Sequence, residues 1–168
     1  MKRESNGRRA TNSVWVGRMY IPNPNGEKLV VEIDGKLYFT IDGVNQTNGL
    51  NELDGEYYYA KPSGVLARSE TLWVSQTNNL VATTGYYAFD ENGRMVKTGF
   101  VTGGGATFYY RDAVLVKGFT KIGEDYYFFN AASGRMFANT RLWITANNPY
   151  GIAAGYYNFG ADGKMELN

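Results

Sequence analysis

Gly85-Tyr86-Tyr87-Ala88-Phe89-Asp90-Glu91-Asn92-Gly93-Arg94-Met95 returns as Gly155-Tyr156-Tyr157-Asn158-Phe159-Gly160-Ala161-Asp162-Gly163-Lys164-Met165, at an offset of 70 residues. Leu72-Trp73-Val74 matches Leu142-Trp143-Ile144, and Ser63-Gly64-Val65-Leu66 matches Ser133-Gly134-Arg135-Met136, both at 70 again. Residues 35–95 and 105–165 are therefore two copies of one long unit. Several residue types recurring in register mark a repeat architecture, and that decides the fold before any single element does.

Each long unit contains three smaller ones. Every small unit reads as an aromatic run, a short polar turn ending in Gly, then a hydrophobic residue two positions on. The turn glycines are Gly43, Gly64, Gly93, Gly134 and Gly163, with Ala113 standing in the place of Gly43 in the second copy. A degenerate earlier unit reads Met19-Tyr20-Ile21, Pro22-Asn23-Pro24-Asn25-Gly26, then Leu29. From Gly26 the spacings are 17, 21, 29, 20, 21 and 29, so short and long repeats alternate in a fixed order.

The aromatic runs alternate in period two. Tyr87 and Phe89 share one face and Tyr86 and Ala88 the other. Aromatic residues favour a pleated, half-buried surface. The turn Asp90-Glu91-Asn92-Gly93 supplies a residue suited to positive φ, and Met95 then returns opposite Phe89. Each unit thus reads as a β-hairpin, about seven in all. One hairpin is marginal alone, whereas stacked hairpins bury each other's aromatic faces. The expected fold is an all-β solenoid of tandem hairpins with mixed repeats of about 20 and about 30 residues. Its expected divisions are a disordered basic tail over 1–13, a degenerate first hairpin over 14–34, a first long unit with a linker over 35–104, and a second long unit over 105–168. Ala113 would pay a steric cost at positive φ, so its turn is expected to differ in type from the others.

Composition narrows the chemistry. The 168 residues hold 21 Gly and 14 Tyr, but no Cys and no His. Disulfides, a Cys-based zinc site, a catalytic Cys and every His-dependent mechanism are excluded. A net charge of +1 provides no field for nucleic acid or an anionic membrane. No stretch approaches the ~18 apolar residues of a membrane span. The charged start, with Lys2, Arg3, Arg8 and Arg9, runs into Thr11-Asn12-Ser13, where a signal peptide would place an apolar segment. The sequence thus reads as a cytosolic chain or as a fragment lacking its leader.

Tyr-Tyr-x-Phe-Asp-x-x-Gly-x-Met, followed by Lys97-Thr98-Gly99-Phe100, resembles the cell-wall-binding repeat of choline-binding proteins, streptococcal glucan-binding proteins and clostridial toxin C-terminal regions. The resemblance covers residues 15–168. It implies a hairpin solenoid, a secreted or surface location on a Gram-positive bacterium, and a targeting module of a larger protein, with the chain a fragment lacking its signal peptide. In choline-binding members two tryptophans form part of the ligand cage, one in Gly-Trp and one just before Tyr-Tyr. Here the first position holds Leu50, Phe100 and Phe119, and the second holds Lys36, Glu56, Tyr86, Ala106, Tyr126 and Tyr156. None is Trp, so choline ranks behind sugar as the expected ligand.

A pyranose stacks its apolar face on an aromatic ring while amides and carboxylates take its hydroxyls. The candidate platforms are Tyr86 and Tyr156, with Trp73 and Trp143 in the longer connections, and Phe100 and Tyr126. Gln76, Asn78, Asn79, Asn147 and Asn148 are the polar neighbours of the tryptophans. Tyr87, Phe89, Met95, Tyr157, Phe159 and Met165 are expected in the core. The bland alternative for every one of these rings is core packing. Gly103-Gly104-Gly105 lacks the Gly-Lys-Ser/Thr of a phosphate loop and reads as a linker. Asp42, Asp90 and Asp162 fall in turns, and no Asp-rich nonapeptide suggests calcium. Glu124 and Asp125 point to opposite strand faces and would not pair as acid and base. The expected function is a non-catalytic module binding cell-wall polysaccharide or another glycan by aromatic stacking, with no cofactor and no metal. The alternative is a structural spacer without a small-molecule ligand. Exposed strand edges at the ends of the array would also allow self-association.

Overall fold

A computed structural model of the chain describes residues 14–16, 19–21 and 26–167. No helix occurs among the described residues. All pairing is antiparallel and the sheets are small. β1 (Val14–Val16) pairs with β2 (Met19–Ile21), and β3 (Lys28–Ile33), β4 (Lys36–Ile41) and β5 (Val44–Asn45) form a three-stranded sheet. β6 (Gly49–Leu53) pairs with β7 (Glu56–Ala60), and β8 (Glu70–Val74) with β9 (Gly85–Phe89). β10 (Gly99–Gly103), β11 (Ala106–Arg111) and β12 (Val114–Leu115) form the next sheet. β13 (Gly118–Ile122) then pairs with β14 (Asp125–Phe129), and β15 (Thr140–Ile144) with β16 (Gly155–Phe159). The chain divides into two compact units between Val96 and Lys97. Within each unit the hairpins stack on one another, which is the all-β hairpin-solenoid fold class expected from the repeats.

Two-residue turns set the main hairpins. Asp34-Gly35 has φ of 53° and 79°, and Asp54-Gly55 has 53° and 82°. Two successive positive φ values make a turn whose twist matches that of the flanking strands. Gly104-Gly105 does the same at 60° and 78° between β10 and β11. The expected linker is therefore a hairpin turn.

The sequence reading put each hairpin's turn after the aromatic run, whereas the full pairing lies before it. β9 pairs along its whole length with β8, including Trp73 with Tyr86 and Leu72 with Tyr87. After Phe89, Asp90 Oδ1 accepts from the N–H groups of Asn92 and Arg94 to close a tight loop. Only one bridge follows, Phe89 with Met95, the cross-strand neighbours anticipated. The physical reason lies in where the next N–H groups go. Met95 N–H donates to the Tyr57 carbonyl of the preceding hairpin at 2.8 Å, and Val96 N–H to Ala88 of its own at 2.8 Å. The pattern recurs at each step. Leu66, Met136 and Met165 donate back to Leu37, Thr107 and Tyr126, each at 2.8 Å. A long return strand would direct these groups to one hairpin and leave the stack unstitched.

Ala113 corrects a second expectation. Asp112-Ala113 has φ of 51° and 65°, the same turn as Asp42-Gly43 at 56° and 82°. Both N–H groups are fastened, Asp112 to Thr98 Oγ1 at 3.0 Å and Ala113 to the Lys97 carbonyl at 2.8 Å. Those bonds outweigh a left-handed penalty of about 1–2 kcal/mol.

At the start of the chain β2 pairs with β1, and Leu29 faces Thr40 in the next hairpin, while the turn read from the sequence over residues 22–25 lies outside the described residues. The tail over 1–13 lies outside the described residues.

The core follows the alternation. Tyr87 and Phe89 are buried while Tyr86 and Ala88 are half-buried on the other face. Phe39, Phe129 and Phe159 are fully enclosed, and each contributes about 1.5–3 kcal/mol. Stacking uses the close approach of the turns. A Cβ on Gly134 would stand 2.7 Å from Leu115 of the preceding hairpin.

Candidate functional site

The β15–β16 hairpin puts Leu142, Tyr157 and Phe159 toward the core cluster and Trp143 and Tyr156 outward as cross-strand partners. Trp143 remains 52% exposed and Tyr156 61%. Their ring centroids lie 5.0 Å apart at 74°, an edge-to-face pair. β8 and β9 present the same pair in the first copy, with Trp73 and Tyr86 at 5.1 Å and 77°. Tyr86 is half-buried and Trp73 is 51% exposed. Four of the six sequence-derived platform residues are thus brought together as two equivalent pairs.

The second-copy loop over 145–154 is folded by Asn148. Its Nδ2 donates to the carbonyls of Thr145 at 2.8 Å and Ile152 at 2.9 Å. Its Oδ1 accepts from the N–H groups of Tyr150 at 3.0 Å and Ile152 at 3.1 Å. All four amide positions are used, so Asn148 builds the loop and has none left for a sugar hydroxyl. Tyr157 Oη donates to the Ala153 carbonyl at 2.6 Å, as Tyr87 Oη does to Thr83 at 2.8 Å in the first copy. These inward tyrosines, read as core from the sequence, also staple the long loops.

Between this loop and the preceding hairpin lies a groove of about 290 Å³ whose walls include Phe119, Phe128, Trp143, Asn147, Asn148 and Pro149. The exposed Asn147 is its amide free to meet a ligand. Tyr126 supports one wall, stacked on Phe119 at 5.7 Å and meeting Tyr150 edge-on at 5.6 Å. Tyr126 therefore acts as a buttress more than as a platform. Phe100, 44% exposed, packs in a separate cluster with Tyr109 at 4.8 Å and Tyr127 at 5.2 Å. Burial raises the Tyr127 phenol above its ordinary range.

In the first copy the equivalent loop closes differently. Asn78 Oδ1 accepts from the Leu50 N–H at 3.0 Å, whereas in the second copy Tyr150 meets Phe119 edge-on at 5.6 Å. Asn78 is thereby committed to the fold. Sequence reasoning also missed Arg141 and Asn158, which flank the second pair on the same outward face. Arg141 Cζ lies 4.7 Å from the Tyr156 ring centroid. Comparing the copies at offset 70 would have exposed both, because Thr71 and Ala88 stand there in the first.

No protein-family model matches the chain, and no curated protein sequence matches it. Solved structures do. The modular autolysin LytC from Streptococcus pneumoniae is similar at a TM-score of 0.51 and 20% identity, over 93% of this chain and 33% of that one. LytC in complex with a synthetic peptidoglycan ligand is similar at 0.50 and 20%, over 92% and 33%. CbpJ from Streptococcus pneumoniae TIGR4 aligns at 0.47 and 22%, over 99% and 51%. The chain thus spans between a third and about half of these proteins. At such identity the likeness to LytC is one of fold alone.

Proposed function

We propose that the chain is a non-catalytic repeat module that binds cell-wall polysaccharide or a related glycan and holds a secreted Gram-positive protein at the wall. The observation that carries this reading is the exposed Trp–Tyr pair, repeated with the same geometry in both copies. Core packing has no use for a tryptophan half in solvent, while a pyranose face does. The groove beside Trp143 and the free amide of Asn147 add walls and a hydroxyl partner. The groups present are rings, amides and a guanidinium, a set that stacks and hydrogen-bonds. Repetition supplies avidity, so each site need only be weak. LytC, which shares the fold, has been seen with a peptidoglycan ligand, and this supports a wall glycan as the ligand class. The reading places the protein outside the cell.

Sedimentation with isolated Gram-positive walls tests it. The chain should pellet with walls, and a Trp73→Ala/Trp143→Ala double variant should not. Soluble wall glycan should release it, while choline should not. Failure to pellet would leave the spacer alternative, and release by choline would move the ligand to the quaternary ammonium.

A further inference from the structure

The two Trp–Tyr pairs differ in what flanks them. Across β8 and β9 the neighbouring outward pair is Thr71 with Ala88, and across β15 and β16 it is Arg141 with Asn158. The Arg141 guanidinium lies over the Tyr156 ring at 4.7 Å and makes no ion pair among the described residues. A ring holds a guanidinium by cation–π attraction but leaves its N–H fork free at the edge. The Asn158 side chain, directly opposite, adds a donor and an acceptor. We propose that the second copy selects an acidic sugar, with a carboxylate-bearing residue stacked on Trp143 and its carboxylate on Arg141, while the first copy takes neutral sugars. This rests on the glycan-binding reading above.

The guanidinium decides which ligand charge the site accepts. A quaternary ammonium would meet a positive charge already seated on Tyr156, so this site disfavours a cationic ligand. Arg and carboxylate match as a two-pronged, charge-assisted pair. Glu166 lines the open groove of about 410 Å³ on the other side of Arg141. It sits outside ion-pair distance, and its charge opposes an acidic ligand without neutralising the guanidinium.

Trigalacturonic acid and its methyl ester share a ring system and differ in charge, so the full chain is titrated with each, following tryptophan fluorescence. The acid should bind more tightly than the ester. Arg141→Thr, which copies the first unit, should weaken the acid by about tenfold and the ester by much less, so that the preference for acid over ester is lost. Glu166→Gln should tighten the acid. Added salt should narrow the gap between the two probes. Equal affinity for acid and ester, or an acid preference that survives Arg141→Thr in a folded variant, would overturn the proposal while leaving glycan binding intact. Absence of any response to either probe or to wall glycan would overturn both.

Discussion

Trp143 and Tyr156 face each other across β15 and β16, centroids 5.0 Å apart and planes at 74°, and Trp73 and Tyr86 repeat the arrangement at 5.1 Å and 77°. An edge-to-face contact of this kind is worth about 0.5–1.5 kcal/mol. It fixes the indole's orientation while leaving half its surface in water. The platform is therefore held in place before a ligand arrives, and little ordering cost remains at binding.

Trp143→Ala removes the platform with little loss of packing. Its expected stability cost is about 1–2 kcal/mol, mostly the ring pair. The expected loss of glycan affinity is on the order of tenfold per site. Thermal melting and glycan titration of one preparation check both. A collapse in melting temperature would mean that Trp143 is a core residue.

Asn148→Ala removes two donors and two acceptors that hold the loop. The loop should open and the groove beside Trp143 should lose its wall, so binding falls although Trp143 is intact. Hydrogen exchange of the Tyr150 and Ile152 amides reads this directly. Protection equal to that of the parent would contradict the role given to Asn148.

Ala113→Gly should stabilise the protein. The position has φ of 65°, where a Cβ costs about 1 kcal/mol or more. Part of the gain is offset by the freer unfolded chain, so a net increase of about 0.5–1 kcal/mol in denaturant unfolding is expected. Gly134→Ala makes the opposite change, with φ of 77° and Leu115 at 2.7 Å, and should cost more than Ala113→Gly gains.

Glu70 provides a pH signature. Burial pushes its carboxyl upward, but the Lys61 ammonium at 2.8 Å and the Arg68 N–H at 3.1 Å more than offset this, so it titrates below its ordinary value of 4.5. A carboxylate lowered on folding contributes stability above its unfolded pKa and loses it as pH falls through the folded one. Melting temperature should therefore fall as the pH drops below about 4.5, and Glu70→Gln should fall less steeply. The pair is partly exposed, so the difference should be small and should shrink in salt.

The repeat and its buried face were legible because they depend on local alternation. Tyr87 and Phe89 share a strand face whatever they pair with, and Met95 follows Gly93 at a fixed distance. The direction of pairing was not read, although Asp34-Gly35 and Asp54-Gly55 carry the strongest short hairpin signal. The third hairpin of each copy has no such signal, since a ten-residue connection joins β8 to β9 and β15 to β16. Ala113 was misjudged because its turn is fixed by bonds to Lys97 and Thr98, which local propensity does not contain. At the candidate site the rings were legible by type. The role of Asn148 and the flanking of Tyr156 by Arg141 needed the loop path and the strand register.

The most direct test of the central claim is the indole N–H signal of Trp143 in a proton–nitrogen correlation spectrum, assigned by Trp143→Phe and followed while soluble peptidoglycan fragments are added. The account predicts a saturable shift at Trp143, with Trp73 responding as a separate site and core amides such as Phe129 unmoved. An unmoved Trp143 indole in a sample that binds walls would contradict it.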